Sequence, residues 1–259
     1  MWKKEMGVAR RAAEEAGKIL TDLFGQVKKI EKKGDIDLVT EADIQSENTI
    51  LNIIARHFPR DSVLTEEAGE LTQLPERVWI IDPLDGTTNY AHAFPFFAIS
   101  IAMEFEKECV LGVVCNPYTG EFFEAMKGSG ARLNGKRIHV SQTEKLQDAL
   151  LVTGFPYDVQ ENPHGVIECF QKMLVRAQGV RRPGSAALDL CYVASGVFDG
   201  YWEQRLHPWD TAAGAVIVKE AGGIVTTFEN DTYTPYHPSI IAVNPFIHKA
   251  MIDALNAPL

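Results

Sequence analysis

The chain has 259 residues, 46% of them apolar and 23% charged, with 25 Lys and Arg against 35 Asp and Glu for a net charge of −10. That length buries a real core as one large domain or two modest ones, and the composition excludes a disordered, collagen-like or coiled-coil chain. The acid excess argues against direct nucleic-acid binding, because phosphate backbones are held mainly by Lys and Arg; a small phosphorylated substrate held through cations stays open.

The N-terminus mixes Lys, Glu and Arg and lacks the apolar stretch of a signal peptide. The most apolar run, residues 93–105, is too short to span a bilayer. Cys109, Cys115, Cys169 and Cys191 form no C-x-x-C pair and read as small buried hydrophobes in a reducing compartment. A cytoplasmic, soluble protein is expected.

Val8, Ala12, Ala16, Ile19, Leu20 and Leu23 recur at helical spacing before Gly25. A polar, basic stretch at 28–37 follows and is expected to be mobile without metal. A second helix starts near Thr40, carries Ile44, Leu51, Ile54 and Phe58, and ends at Pro59. Residues 78–81 read as a strand leading into Asp82-Pro83-Leu84-Asp85-Gly86. Residues 97–105, 110–115 and 121–125 read as antiparallel strands, with Asn134-Gly135 as a hairpin turn.

Beyond Ser141 the pattern alternates. Residues 150–153 read as a strand, 163–179 and 185–195 as helices, 197–202 as a strand, 211–221 as a helix and 224–228 as a strand. The fold class is therefore α/β, with an α+β half over 1–142 built on an antiparallel sheet and an α/β half over 143–259. The two halves are expected to pack together.

Carboxylates dominate the chemistry. Asp82 and Asp85 flank Pro83 on a turn where Leu84 offers a carbonyl, Gly86 lets a ligand approach the backbone, and Thr87 and Thr88 add hydroxyls and amides. Such a turn can hold a hard divalent cation through oxygen and cradle a phosphate beside it. Asp-x-x-Asp alone more often marks an Asx turn. Glu66-Glu67 follows a short apolar run, and one of the pair can turn inward. Asp210 precedes an almost wholly apolar helix, where it can N-cap and be buried; a buried carboxylate needs a partner, and a metal is an adequate one. Asp43, three residues after Thr40, fits a capping-box variant or an acceptor that orients a hydroxyl. No His or Cys pair has zinc spacing, so the oxygen set points to Mg²⁺ or Mn²⁺. Nucleotide-binding glycine loops are missing.

Asp82-Pro83-Leu84-Asp85-Gly86-Thr87 and Trp209-Asp210-Thr211-Ala212-Ala213-Gly214 together make the chain strongly resemble the inositol monophosphatase family. Leu38-Val39-Thr40-Glu41-Ala42-Asp43, Glu66-Glu67 and Gly184-Ser185-Ala186-Ala187 agree in order, and the stretch from Arg181 to Leu190 is similar to the bacterial SuhB-like branch. The resemblance implies a layered α-β-α-β-α sandwich of the sugar-phosphatase type, usually a homodimer, with Mg²⁺-dependent, lithium-sensitive phosphatase activity on inositol 1-phosphate. It also implies site residues. Glu66, Asp82 and the Leu84 carbonyl would hold one metal, Asp82, Asp85 and Asp210 a second, with a weaker third near Glu66. Gly86 and Thr87 amides would grip phosphate. Thr87, oriented by Asp43, and Glu66 would position and deprotonate water, and Gly184, Ser185, Ala186 and Glu203 would meet the inositol hydroxyls. Fructose 1,6-bisphosphate is an alternative substrate, with Arg181, Arg182 and Arg205 available for a second phosphate, and a role as a partner of the transcription machinery is a further alternative.

Overall fold

The computed structural model of the chain describes residues 1–26, 30–32, 38–71, 74–163 and 165–257. Helix α1 (Lys3–Leu23) turns Val8, Ala12, Ala16 and Leu20 inward, the stripe that helical spacing requires. It packs on α2 (Glu41–His57), which buries Ile50, Ile53 and Ile54. Between them in sequence, β1 (Ile30–Lys32) pairs antiparallel with β2 (Leu38–Thr40). The expectation of mobility over 28–37 lies outside the described residues, apart from that strand.

The larger sheet comprises β3 (Asp61–Thr65), β4 (Gly69–Leu71), β5 (Leu74–Asp85), β6 (Ala98–Phe105), β7 (Glu108–Asn116), β8 (Glu121–Met126), β9 (Gly130–Leu133) and β10 (Lys136–Arg137). Their spatial order is β10-β9-β8-β7-β6-β5-β3-β4, antiparallel throughout except for the parallel β3–β5 pair. Helix α3 (Thr87–Ala91) is a single turn between β5 and β6. Asn134 and Gly135 both adopt positive φ, 49° and 78°, as a two-residue hairpin turn demands.

The second sheet is ordered β12-β11-β13-β15-β14, from β11 (Leu150–Thr153), β12 (Gly179–Arg181), β13 (Gly200–Gln204), β14 (Ile224–Thr226) and β15 (Ser239–Val243). Its helices are α4 (Val166–Leu174), α5 (Ala186–Ala194), α6 (Pro208–Glu220) and α7 (His248–Asn256).

Side-chain alternation builds the layers, because successive strand residues face opposite sides. On β5, Trp79 and Ile81 join the core under α1 and α2, while Ile80 joins a central core with α5 and α6. On β15, Ile240 and Ala242 face that central core, whereas Ile241 and Val243 face a third core with α4 and α7. The result is the α-β-α-β-α sandwich, with both sheets buried on both faces. Helix α6 lies close on the larger sheet: a Cβ on Gly112 of β7 would come within 2.5 Å of the Ala213 carbonyl oxygen.

Several boundaries differ from the sequence reading. The helix expected over 163–179 is confined to Val166–Leu174, because Gly165 sits at φ 80° before it and Gly179 opens strand β12. Residues 197–199 form a turn ahead of β13 rather than strand. Strand β5 continues through Asp82 to Asp85, where a turn was expected. Strand β15 and helix α7 fall in the tail for which no element was assigned.

Candidate active site

Strand β5 carries the two central aspartates. Its register with β6 runs to Asp82 opposite Ser100 and resumes at Asp85 opposite Ala98, so an extra residue bulges out at Pro83-Leu84. Pro83 has no N–H to lose there, and its carbonyl accepts from Ser46 Oγ of α2 at 2.7 Å. The bulge turns Asp82 Oδ1 onto the Leu84 N–H (2.9 Å), while the Leu84 carbonyl accepts from Thr87 Oγ1 (3.0 Å). Gly86 follows at φ 88°, and any Cβ there would sit 3.0 Å from the Phe96 carbonyl oxygen. Only glycine fits this corner.

Asp85 reaches across to the second half. Its Oδ2 accepts from Ser185 Oγ (2.5 Å) and from the Ala187 N–H (2.8 Å) at the start of α5. Ser185 is the N-cap of α5 and also accepts from Leu188 N–H. Asp210 stands at the third position of α6, not at its N-cap as the sequence suggested. Pro208 takes the first helical position, His207 is the cap, and Asp210 Oδ2 accepts from the His207 N–H at 2.7 Å. The reciprocal capping leaves the Asp210 side chain 18% exposed. Glu66 lies in the turn after β3, which Glu47 of α2 holds by accepting from Thr65 Oγ1 (2.7 Å) and the Ala68 N–H (3.1 Å).

One cavity of about 730 Å³ unites these groups. Glu66, Asp82, Leu84, Asp85, Gly86, Thr87, Gly184, Ser185, Ala186, Glu203 and Asp210 all line it. Asp43, buried in the first turn of α2, lies within electrostatic reach of Asp82 but is not part of the wall. Thr87 directs its hydroxyl to the Leu84 carbonyl. Ser185, expected to meet substrate, is committed to Asp85. A second cavity, of about 390 Å³, lies on another face of α6 beside Lys107, Lys127 and Lys219 and holds none of the predicted residues.

The acids act on one another. Burial pushes the Asp82 carboxyl well above its usual range, and Glu66, Asp85, Asp210 and Asp43 push it further. Burial likewise raises Asp210, with Asp85, Glu66 and Glu203 adding to it against the His207 amide. Asp85 is pushed up to about 6, burial again leading, because the Ser185 hydroxyl and Ala187 amide favour its ionised form. Glu203 reaches about 7 through burial, opposed by the Tyr201 hydroxyl, which donates to Oε2 at 2.6 Å. Among the described residues, neither Asp82 nor Asp85 has a Lys or Arg in an ion pair, and no three His, Cys, Asp or Glu side chains are grouped so as to hold a metal ion. Each aspartate is instead held by neighbouring amides and hydroxyls. The donor set fits a hard divalent cation: carboxylates and a carbonyl, crowded and short of positive charge.

Sequence reasoning missed the supports. Ser46, Glu47, Tyr201 and Gly154 carry no motif, and their roles come from strand and helix register. Asp189 falls in the stretch from Arg181 to Leu190 without an assigned role; it is fully buried on α5, part of the cavity wall, and among the described residues neither of its oxygens has a hydrogen-bond partner.

The five-layer frame and its acidic cavity define a class, an α/β phosphatase of the inositol monophosphatase type. The model of the inositol monophosphatase family matches residues 2–258, and the chain belongs to that family. It is 45% identical over 252 residues to an inositol-1-monophosphatase of Synechocystis sp., covering 96% of this chain and 88% of that one. It is 40% identical over 251 residues to the Nus factor SuhB of Vibrio cholerae, covering 96% and 94%. The crystal structure of the extragenic suppressor protein suhB from Bartonella henselae superposes with a TM-score of 0.94 at 39% identity, over 99% of this chain and 100% of that one. Among the described residues, no helix is long and apolar enough to cross a membrane.

Proposed function

We propose that the chain is a Mg²⁺-dependent phosphomonoesterase that hydrolyses myo-inositol 1-phosphate and related inositol or sugar monophosphates to the alcohol and phosphate. One observation carries this reading. Glu66, Asp82, Asp85 and Asp210, from three separate stretches of chain, line one cavity, where Glu66 and Asp85 raise the proton affinity of both Asp82 and Asp210. The name of the Synechocystis relative supports the substrate.

In this reading Glu66, Asp82 and the Leu84 carbonyl hold one Mg²⁺, and Asp82, Asp85 and Asp210 hold another. Bound Mg²⁺ supplies positive charge that offsets the phosphate oxygens, acidifies water and steadies the departing alkoxide. Glu66 positions the attacking water and accepts its proton, with Thr87 turning its hydroxyl from the Leu84 carbonyl to assist and Asp43 behind it. The Gly86 and Thr87 amides receive phosphate oxygens. Glu203 accepts from hydroxyls of the leaving alcohol against the wall of Gly184 and Ala186, and Ser185 contributes by fixing Asp85.

The test is phosphate release from myo-inositol 1-phosphate with Mg²⁺. Asp85→Asn and Asp210→Asn should each lose at least about 100-fold in kcat while remaining folded by circular dichroism. Near wild-type turnover by either folded variant refutes the metal assignment. Fructose 1,6-bisphosphate run in parallel separates a dual-specificity enzyme from a monophosphatase, and lithium should inhibit both reactions. The Vibrio relative's name supports a second role, binding the transcription machinery; association that survives Asp85→Asn would make that role independent of turnover.

A further inference from the structure

Glycine is chosen for a reason at every cavity position, and at Gly154 the reason is not the backbone. Gly154 is absent from the positive-φ residues, so its conformation is open to any amino acid. It follows β11, whose parallel register with β13 sets Leu151 beside Gly200, Val152 beside Tyr201 and Thr153 beside Trp202. Thr153 Oγ1 locks this end of the pair by donating to the Trp202 carbonyl at 2.6 Å. Continuing by one residue places Gly154 beside Glu203 on the cavity wall.

The space above Gly154 is filled by the Glu203 carboxylate. A Cβ built on Gly154 would lie 2.5 Å from Glu203 Cδ and closer still to both carboxylate oxygens, and the three nearest atoms all belong to that one group. The Gly154 N–H also donates to it. On the other side, Tyr201, two residues along the same strand face, donates its hydroxyl to Glu203 Oε2 at 2.6 Å. Glu203 is thus fixed between a hydroxyl and a backbone that has no side chain. An ionised carboxylate is an acceptor only, and one held this rigidly discriminates between ligands that bring hydroxyl donors and ligands that do not.

We infer that Gly154 is a specificity-determining positioning residue: by leaving room for the Glu203 carboxylate against its own backbone, it makes the site select phosphate esters of polyhydroxylated alcohols over esters without hydroxyls. The inference rests on the proposed phosphatase reading and deepens it. The readout is the ratio of kcat/KM for myo-inositol 1-phosphate to that for phenyl phosphate, with Mg²⁺. Gly154→Ala should lower this ratio by about 10- to 100-fold, the loss expected when a hydrogen bond to a charged group is broken, chiefly through KM for the inositol ester. In a Glu203→Gln background the same substitution should change the ratio by no more than about twofold, because the group it displaces no longer reads hydroxyls as a carboxylate does. Tyr201→Phe, which frees Glu203 from its other side by deleting one hydroxyl, should lower the ratio in the same direction and carries the test if Gly154→Ala does not fold. An unmoved ratio in the folded variants, or an equal drop with and without the Glu203 carboxylate, overturns the inference while leaving the phosphatase reading intact. Wild-type protein that hydrolyses neither ester overturns both.

Discussion

Stripping divalent cations from the protein should make its stability fall as pH rises. The perturbation is a chelator, and the groups that respond are the cavity carboxylates. A carboxyl whose proton affinity is higher in the folded state contributes stability that is present below its unfolded pKa and lost as pH rises through the folded one. Asp85 is pushed up to about 6 from 3.8, and Glu203 to about 7 from 4.5. Between about pH 5.5 and about pH 8 these two alone lose roughly 3 kcal/mol. Asp82 and Asp210, raised for the same reasons of burial and mutual repulsion, act in the same direction. At about 2–4 °C per kcal/mol for chains near this size, the melting temperature should drop by roughly 6–12 °C over that interval. Circular-dichroism melts in chelator read it directly. Adding Mg²⁺ at about pH 8 should restore most of the loss, since a ligand at about 100 times its Kd stabilises by about 2.7 kcal/mol. A melting temperature that stays flat or rises with pH in the chelated protein, or one that Mg²⁺ leaves unmoved, refutes the reasoning.

Mg²⁺ binding should release protons, because burial and neighbouring acids raise the proton affinity of Asp82 and Asp210 and a bound cation would lower it; calorimetry in two buffers of different ionisation enthalpy measures this, and a buffer-independent heat contradicts it. Asp189→Asn should raise the melting temperature of the chelated protein at about pH 8, against the usual sign of a core substitution, since it removes a fully buried carboxyl that has no partner and is raised by burial and by Glu203. Gly112→Ala should cost about 1–3 kcal/mol in urea unfolding, as overpacked contacts do, because its methyl meets the Ala213 backbone of α6; unchanged stability would show that α6 can back away.

Local pattern made much of the fold legible. The stripe from Val8 to Leu23 became α1, and the β-rich runs ending at Phe105, Cys115 and Ala125 became β6, β7 and β8. Boundaries failed where tertiary packing decided them: Gly179 reads as a helix end, yet it pairs with Leu150 as a strand. The site divides in the same way. Asp82, Asp85 and Asp210 stand out through motifs, whereas Ser185 bonding to Asp85 and Gly154 backing Glu203 depend on which distant segments become neighbours. Asp210 was assigned a cap because Asp commonly caps; Pro208, which favours the first helical turn, moved the cap back to His207.

Asp82 and Asp85, both buried in the cavity wall, differ in what reaches them, and the difference follows from the layering. Helices α5 and α6 form the middle layer, and both begin at the cavity, with Ser185 and His207 as their caps on its wall. Helix N-termini carry unsatisfied N–H groups and partial positive charge. Asp85 collects both the cap hydroxyl and an amide of α5, and its carboxyl stays near 6. Asp82, on the sheet and fed by the Leu84 amide, is pushed well above the usual carboxylate range. The fold therefore gives Asp85 more donors that favour its ionised form than it gives Asp82. A site of four permanently ionised carboxylates would repel itself apart, and one of four protonated acids would have little to offer a cation. Placing two helix starts opposite one bulged strand offsets part of that crowding, through the Ser185 hydroxyl and Ala187 amide for Asp85 and the His207 amide for Asp210.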